Sequence, residues 1–336
     1  MKTASAFLIT AFLALSPAAA SAQLPVTPPT DPPPTTPTPP PTTPAPAPAA
    51  GKGSIAIASG LSDGGRQYVA AGQRIRLAGS VKPAVAGQKI IVELFRGSKQ
   101  VDRKIATVSK TGGFSLVFRV SKAGTYIVKA RHKASAEQQR FTIKRKSFEA
   151  MRGGVGSGSG AKKIHLVQRG LARLAYVTSQ GGHFDGSTSR AVLAFRKTNG
   201  LGRNSSVSAK VFEMLLSGHG GFKLKYPKAG KHVEFDWSRQ VLVLARGGKA
   251  ERIYHASSGK PSTPTVFGTF RFYRKQPGTN SHGMVFSTYF IRGYAIHGYK
   301  DVPNYAASHG CIRVPIPNAV SIYQWLSLGD QIFVYR

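Results

Sequence analysis

The 336-residue chain holds a single cysteine, Cys311. One thiol excludes an intramolecular disulfide framework. It also excludes a cysteine-rich structural zinc site, which needs several thiolates close together. Acidic residues are scarce, with 13 Asp and Glu against 47 Lys and Arg, for a formal net charge of +34 at pH 7. Beyond the N-terminal segment no run approaches the ~18 apolar residues of a membrane-spanning helix. No Gly-rich phosphate loop appears, so nucleotide-driven chemistry is not indicated. What is present suffices for globular cores: 41% of the residues are hydrophobic. At roughly 100–150 residues per domain, two or three domains are expected.

The N-terminus reads as an export signal. Lys2 supplies a positive charge, and Ala6 to Leu15 form an apolar stretch too short to span a bilayer comfortably. Pro17 ends it, and Ala20-Ser21-Ala22 offers small residues for cleavage after Ala22. Residues 1–22 are therefore expected to be a signal peptide. The mature chain is expected to be exported, soluble and free of a transmembrane segment. Residues 23–51 form a Pro-rich linker, with 13 Pro among the 27 residues from Leu24 to Ala50. Proline fixes φ and removes backbone donors, so polyproline II is expected. At that rise the segment would reach on the order of 80 Å.

Three folded units are expected after it. Residues 52–148 alternate in the manner of strands, as in Arg74 to Leu77, Lys89 to Phe95, Phe114 to Val120 and Tyr126 to Ala130. Gly/Ser/Lys turns separate them, which predicts around seven short strands in a β-sandwich. Gly112-Gly113-Phe114-Ser115 followed by Ala123-Gly124-Thr125-Tyr126 resembles bacterial immunoglobulin-like modules. Residues 149–160 (Met151 to Gly160 reads MRGGVGSGSG) are expected to be a flexible linker. Residues 161–220 read as helical, from Ile164, Val167, Leu171 and Leu174, then Ala191, Val192, Ala194 and Phe195, then Val211, Met214 and Leu215. Ser187 or Thr188 is the expected cap of the second helix. Val167 to Leu174, Phe184-Asp185-Gly186 and Arg190 to Arg196 resemble the three-helix peptidoglycan-binding domain. That family usually has Gln where Arg196 stands and Gly where Ala175 stands. Residues 222–336 are expected to be mostly β with one clear helix, Pro317 to Leu328.

The chemistry-bearing residues lie in this last unit. Cys311 sits in Ser308-His309-Gly310-Cys311-Ile312-Arg313, and His297 lies eleven residues before Ser308. A free thiol in an exported protein is a liability unless it is used. Thiolate is the nucleophilic form, and the cations nearby in sequence, His309 and Arg313, favour it. His297 is placed to take the thiol proton, and Gly310 lets the backbone bend and present amide donors. A buried apolar cysteine is the bland alternative. A zinc site from His297, His309 and Cys311 matches in ligand type, but it lacks paired spacing and a fourth ligand. His255 and His282 read as structural or cleft-lining residues.

Ile296-His297-Gly298 followed by Ser308 to Arg313 is similar to the signature of L,D-transpeptidase (YkuD-like) catalytic domains. Ser258-Gly259, Thr263-Pro264, Phe267 to Phe270, Trp325 and Gly329-Asp330 extend the resemblance over the C-terminal third of the chain. It implies that Cys311 attacks the third residue of a peptidoglycan tetrapeptide stem, forms a thioester and releases D-alanine. An acceptor amine would then take the acyl group in a 3→3 cross-link. His297 would be the acid/base. Ser308, His309, Gly310 and Arg313 would support the loop, the His297 tautomer, the oxyanion and substrate charge. Met284 and Tyr289 would line the donor cleft. No cofactor or metal is implied. The implied partners are stem peptides, glycan and anionic wall polymers rather than nucleic acid. With water as acceptor the enzyme would be an L,D-carboxypeptidase; without activity it would be a wall-binding protein.

Overall fold

The computed structural model describes residues 46–156 and 158–336. The expected signal peptide and residues 23–45 of the Pro-rich linker lie outside the described residues. Residues 46–336 form one compact unit.

Nine strands come first: β1 (Lys52–Ile57), β2 (Leu61–Asp63), β3 (Arg66–Ala70), β4 (Arg74–Lys82), β5 (Lys89–Arg96), β6 (Lys99–Thr107), β7 (Gly113–Arg119), β8 (Gly124–His132) and β9 (Phe141–Met151). They make a three-stranded sheet, β1-β4-β7, and a six-stranded sheet, β2-β3-β9-β8-β5-β6. Alternation explains how the two meet. Ile75, Leu77, Phe114 and Phe118 from one sheet bury against Ile90, Val92, Leu94, Tyr126 and Val128 from the other. Each such side chain stabilises the fold by roughly 1.5–3 kcal/mol through burial. The sequence suggested about seven strands. The ones it hides include β6, an edge strand whose charged, largely exposed residues mask its period.

Three helices follow: α1 (Ala161–Arg173), α2 (Gly186–Thr198) and α3 (Ala209–Ser217). The cap of α2 is Asp185 rather than Ser187 or Thr188; its carboxylate accepts the Thr188 N–H at 2.8 Å. Ser208 caps α3, and Gly218 closes it in the left-handed region at φ 73°. The two departures from the peptidoglycan-binding pattern have local roles. Arg196 is buried and donates to the carbonyls of Gly202 (2.7 Å) and Ser206 (3.2 Å). Ala175 adopts φ 69°, a conformation that favours glycine.

The expected flexible linker is partly built into the fold. Met151 ends β9, and Val155 is buried and bridges to Val207. Nor do the helices keep a core to themselves. Ile164, Val167, Leu171, Phe195 and Phe212 share one cluster with Leu61 and Tyr68 of the sandwich and with Val241, Val243 and Ile253 further on.

The remaining elements are β10 (His232–Asp236), β11 (Val241–Arg246), β12 (Lys249–His255), β13 (Gly268–Arg271), β14 (Arg274–Thr279), β15 (Val285–Ile291), β16 (Tyr294–Tyr299), β17 (Ile312–Pro315), α4 (Ile316–Trp325) and β18 (Gln331–Tyr335). This part is mostly β, as expected, in two sheets ordered β12-β11-β10-β18-β13 and β14-β15-β16-β17. Val233, Phe235, Phe290, Ile296, Ile312, Val314 and Ile322 form its core. The parallel pairing of β16 with β17 sets His297 opposite Arg313. Among the described residues no helix is long and apolar enough to cross a membrane.

Candidate active site

The His297–Arg313 register brings the two halves of the sequence motif to one place. His297 is interior to β16 and 3% exposed. Its Nδ1 lies 2.9 Å from the Gly298 carbonyl, which only accepts, so Nδ1 carries the proton and Nε2 keeps a lone pair. That tautomer is held by the residue's own strand, not by Ser308 or His309. Burial pulls the His297 pKa down to about 4; the Arg313 charge adds to this and the Gly298 hydrogen bond opposes it. The imidazole is therefore neutral near pH 7.

Cys311 lies just before β17 and is partly exposed. Its thiol donates to the Gly293 carbonyl at 3.6 Å. Burial raises its pKa, while the Ala295 backbone hydrogen bond and the Arg313 charge counter this. Thiol and imidazole are thus both neutral near pH 7.

The loop before Cys311 is fixed by a dense set of short contacts. Ser308 Oγ donates to the Cys311 carbonyl at 2.6 Å and accepts the Gly310 N–H at 3.0 Å. The Gly310 amide is thereby engaged within the loop. Thr265 Oγ1 accepts the Gly259 N–H at 2.9 Å and donates to the Gly310 carbonyl at 2.7 Å. Gly310 is required twice over: its φ is 121°, and a Cβ there would lie 2.1 Å from Tyr294 Cε1.

A cavity of about 340 Å³ is lined by His282, Met284, His297, Tyr299, Ser308, His309, Cys311 and Arg313. It brings together Cys311, His297, Ser308, His309, Arg313 and Met284. Tyr289 is not among its lining residues. It is buried on β15, with its hydroxyl 2.9 Å from Gln276 Oε1 and the Arg274 guanidinium 4.0 Å from its ring centroid. Tyr299 was missed by sequence reasoning, although strand alternation sets it on the same side as His297. Its ring stands edge-on to the imidazole at 5.6 Å and carries the Arg313 guanidinium at 4.1 Å. Among the described residues no carboxylate pairs with Arg313. Nor does any group of three His, Cys, Asp or Glu among them stand close enough to hold a metal ion.

Residues 230–334 match the family model of the L,D-transpeptidase catalytic domain, YkuD. The chain carries an L,D-transpeptidase catalytic domain. The enzyme class that follows is acyl transfer. No curated protein sequence matches the chain. Among solved structures, an L,D-transpeptidase from Xylanimonas cellulosilytica is 29% identical over 54% of this chain and 97% of that one, with a TM-score of 0.49. A cysteine-to-serine mutant of the Enterococcus faecium L,D-transpeptidase is 21% identical over 36% of this chain, with a TM-score of 0.29. This chain spans 53% of that chain. An L,D-transpeptidase from Mycobacterium smegmatis is 14% identical over 84% of this chain and 99% of that one, at a TM-score of 0.30. The L,D-transpeptidase domain thus accounts for the C-terminal third, and it contains every residue lining the 340 Å³ cavity.

Proposed function

We propose that the protein is an exported peptidoglycan L,D-transpeptidase that makes 3→3 cross-links, with Cys311 as nucleophile and His297 as general acid/base. The observation that carries this reading is the single cavity shared by Cys311, His297, Ser308, His309 and Arg313, with the His297 Nδ1 proton committed to Gly298.

The thiol leaves Gly293 and passes its proton to His297 Nε2 as sulfur attacks the carbonyl carbon of the third stem residue. The new C–S bond places negative charge on oxygen. We assign the Cys311 N–H as the backbone donor to that oxygen, since the Gly310 N–H is held by Ser308. The C–N bond to D-alanine breaks, and the amine departs with the imidazolium proton. A side-chain amine of a second stem then attacks the thioester and gives its proton to Nε2. Expulsion of the thiolate, which takes that proton back, completes the cross-link. The unpaired Arg313 fork suits a donor carboxylate. Cleavage of the D-alanine bond drives the transfer, so no nucleotide is consumed. The three-helix region and the sandwich serve as wall-facing modules, and the basic surface suits anionic wall polymers.

The test is incubation of the chain from residue 23, and its Cys311→Ala variant, with disaccharide-tetrapeptides, read by mass spectrometry. Dimers that have lost one D-alanine, absent with the variant, are expected. Tripeptide monomers alone would make the enzyme an L,D-carboxypeptidase. No product with either protein, but retention on insoluble wall, would leave a binding protein.

A further inference from the structure

A lysine from the helical region is buried inside the catalytic domain. Lys197, in the last turn of α2, is 3% exposed. Its Nζ contacts three acceptors, none of them anionic: Gln240 O at 2.9 Å, His255 Nδ1 at 2.8 Å and Ala256 O at 3.0 Å. Burial, with the Arg203 charge adding to it, pulls the lysine pKa down to about 6. Three acceptors use all three ammonium protons, so the geometry works against that pull.

The far side of the same imidazole reaches the catalytic loop. His255 Nε2 lies 2.9 Å from the Val302 carbonyl. A carbonyl only accepts, so Nε2 bears the proton and Nδ1 must accept from Lys197. Lys197 thereby fixes the one tautomer of His255 that can hold Val302. Burial and the Lys197 charge push the His255 pKa down to about 3, which keeps it neutral.

A second contact from the helical region runs in parallel. Arg203, five residues beyond α2, donates to Asn304 O at 3.0 Å and to Ser238 O at 2.7 Å. Asn304 Nδ2 returns a bond to Arg203 O at 2.7 Å. Val302 and Asn304 belong to the segment that leads into Ser308 and Cys311.

The third link runs through Gln240. Its side chain brackets Ser258, with Nε2 to Oγ at 2.8 Å and Oε1 from N–H at 2.7 Å. The Ser258 carbonyl in turn accepts the N–H groups of Ala307 and Ser308, both at 2.8 Å. Lys197 holds the Gln240 carbonyl, so the path from α2 to the loop is continuous in hydrogen bonds.

We infer that α2 and the turn after it are a positioning element of the active site, with Lys197 and Arg203 holding the 300–308 segment that places Cys311. This rests on the reading of Cys311 as the nucleophile. Neither residue touches substrate; both act through Val302, Asn304 and Ser258. The helical region is then a working part of the catalytic centre rather than only a tether.

The test uses the chain from residue 23 with Lys197→Met or Arg203→Ala. Val211→Ala, in the α3 core, is the control that lowers stability without touching the loop. Three quantities are read for each: kcat and KM on disaccharide-tetrapeptide, the rate of Cys311 alkylation by iodoacetamide against pH, and Tm. The expected result is a fall in kcat of about 10- to 100-fold with little change in KM, the cost of misplacing a reacting group. The alkylation profile of both variants should shift, while Val211→Ala keeps the wild-type kcat and profile despite its lower Tm. Lys197→Met and Arg203→Ala that lose Tm alone, with wild-type kcat and alkylation, overturn the inference. Arg203 is exposed, so its variant is expected to fold even where the buried substitution does not. Should the wild type prove inactive on stem peptides, the functional reading fails, and the alkylation profiles still decide whether α2 positions Cys311.

Discussion

Ser308 Oγ donates to the Cys311 carbonyl at 2.6 Å and, from the same oxygen, accepts the Gly310 N–H at 3.0 Å. One hydroxyl thus closes the loop on both sides of the peptide that presents the thiol. Ser308→Ala removes both bonds and leaves a buried amide and a carbonyl without partners. A loss of kcat on the order of 10- to 100-fold is expected, with KM near the wild-type value. Steady-state kinetics on tetrapeptide donors check this, and Ser308→Thr should recover part of the loss.

His297 and Cys311 are shifted apart in pH. His297 titrates at about 4 and Cys311 above the usual thiol range, both because burial disfavours the charged form. The acid limb of kcat/KM should therefore fall near pH 4, not near 6.5. Iodoacetamide should alkylate Cys311 slowly at pH 7 and accelerate only at alkaline pH.

The same histidine ties stability to pH. Between pH 6.5 and about 4 the unfolded chain binds a proton that folded His297 refuses. Its contribution is therefore complete above pH 6.5 and lost as pH falls through that window. His255, pushed to about 3, acts in the same direction and extends the window downward. Urea unfolding at pH 7, 6, 5 and 4 should show a midpoint that declines steadily, and His255→Asn should flatten part of the slope.

Arg313 lines the cavity with its guanidinium 4.1 Å from the Tyr299 ring centroid. If it anchors a donor carboxylate, Arg313→Lys keeps the charge but loses the fork. KM for a donor with a free terminal carboxylate should rise about tenfold, the loss of one charge-assisted hydrogen bond. KM for the amidated donor should not change. An equal rise for both donors would place the arginine elsewhere in the reaction.

Ala175 holds φ 69° while its carbonyl accepts the Ile253 N–H at 2.8 Å. A side chain in the left-handed region costs roughly 1–2 kcal/mol. Glycine removes that cost but loses about 0.4–1 kcal/mol through the unfolded chain. Ala175→Gly should therefore stabilise the protein by about 0.5–1 kcal/mol, read as a higher denaturant midpoint at unchanged activity.

Much of the catalytic region was legible because its chemistry is contiguous. Ser308 to Arg313 is a single hexapeptide, and His297 lies only eleven residues before it. Tyr289 was misplaced because alternation along β15 breaks: the register shifts between Val285 and Thr288, and Phe286 takes φ 52°. No period then assigns Tyr289 a side. Val155 was hidden for a different reason. It sits alone among glycines and serines, and only tertiary packing against Val207 makes it a core residue. Lys197 carries no local signal either, since a basic residue in the last turn of a helix ordinarily faces water.

The cluster joining Leu61 and Tyr68, the three helices, and Val241, Val243 and Ile253 ties three regions of the described residues through one interior. Cutting between these regions would strip each fragment of part of its own interior and leave an oily face on both. Calorimetry is therefore expected to show the helical region melting with its neighbours rather than as a separate bead on a string.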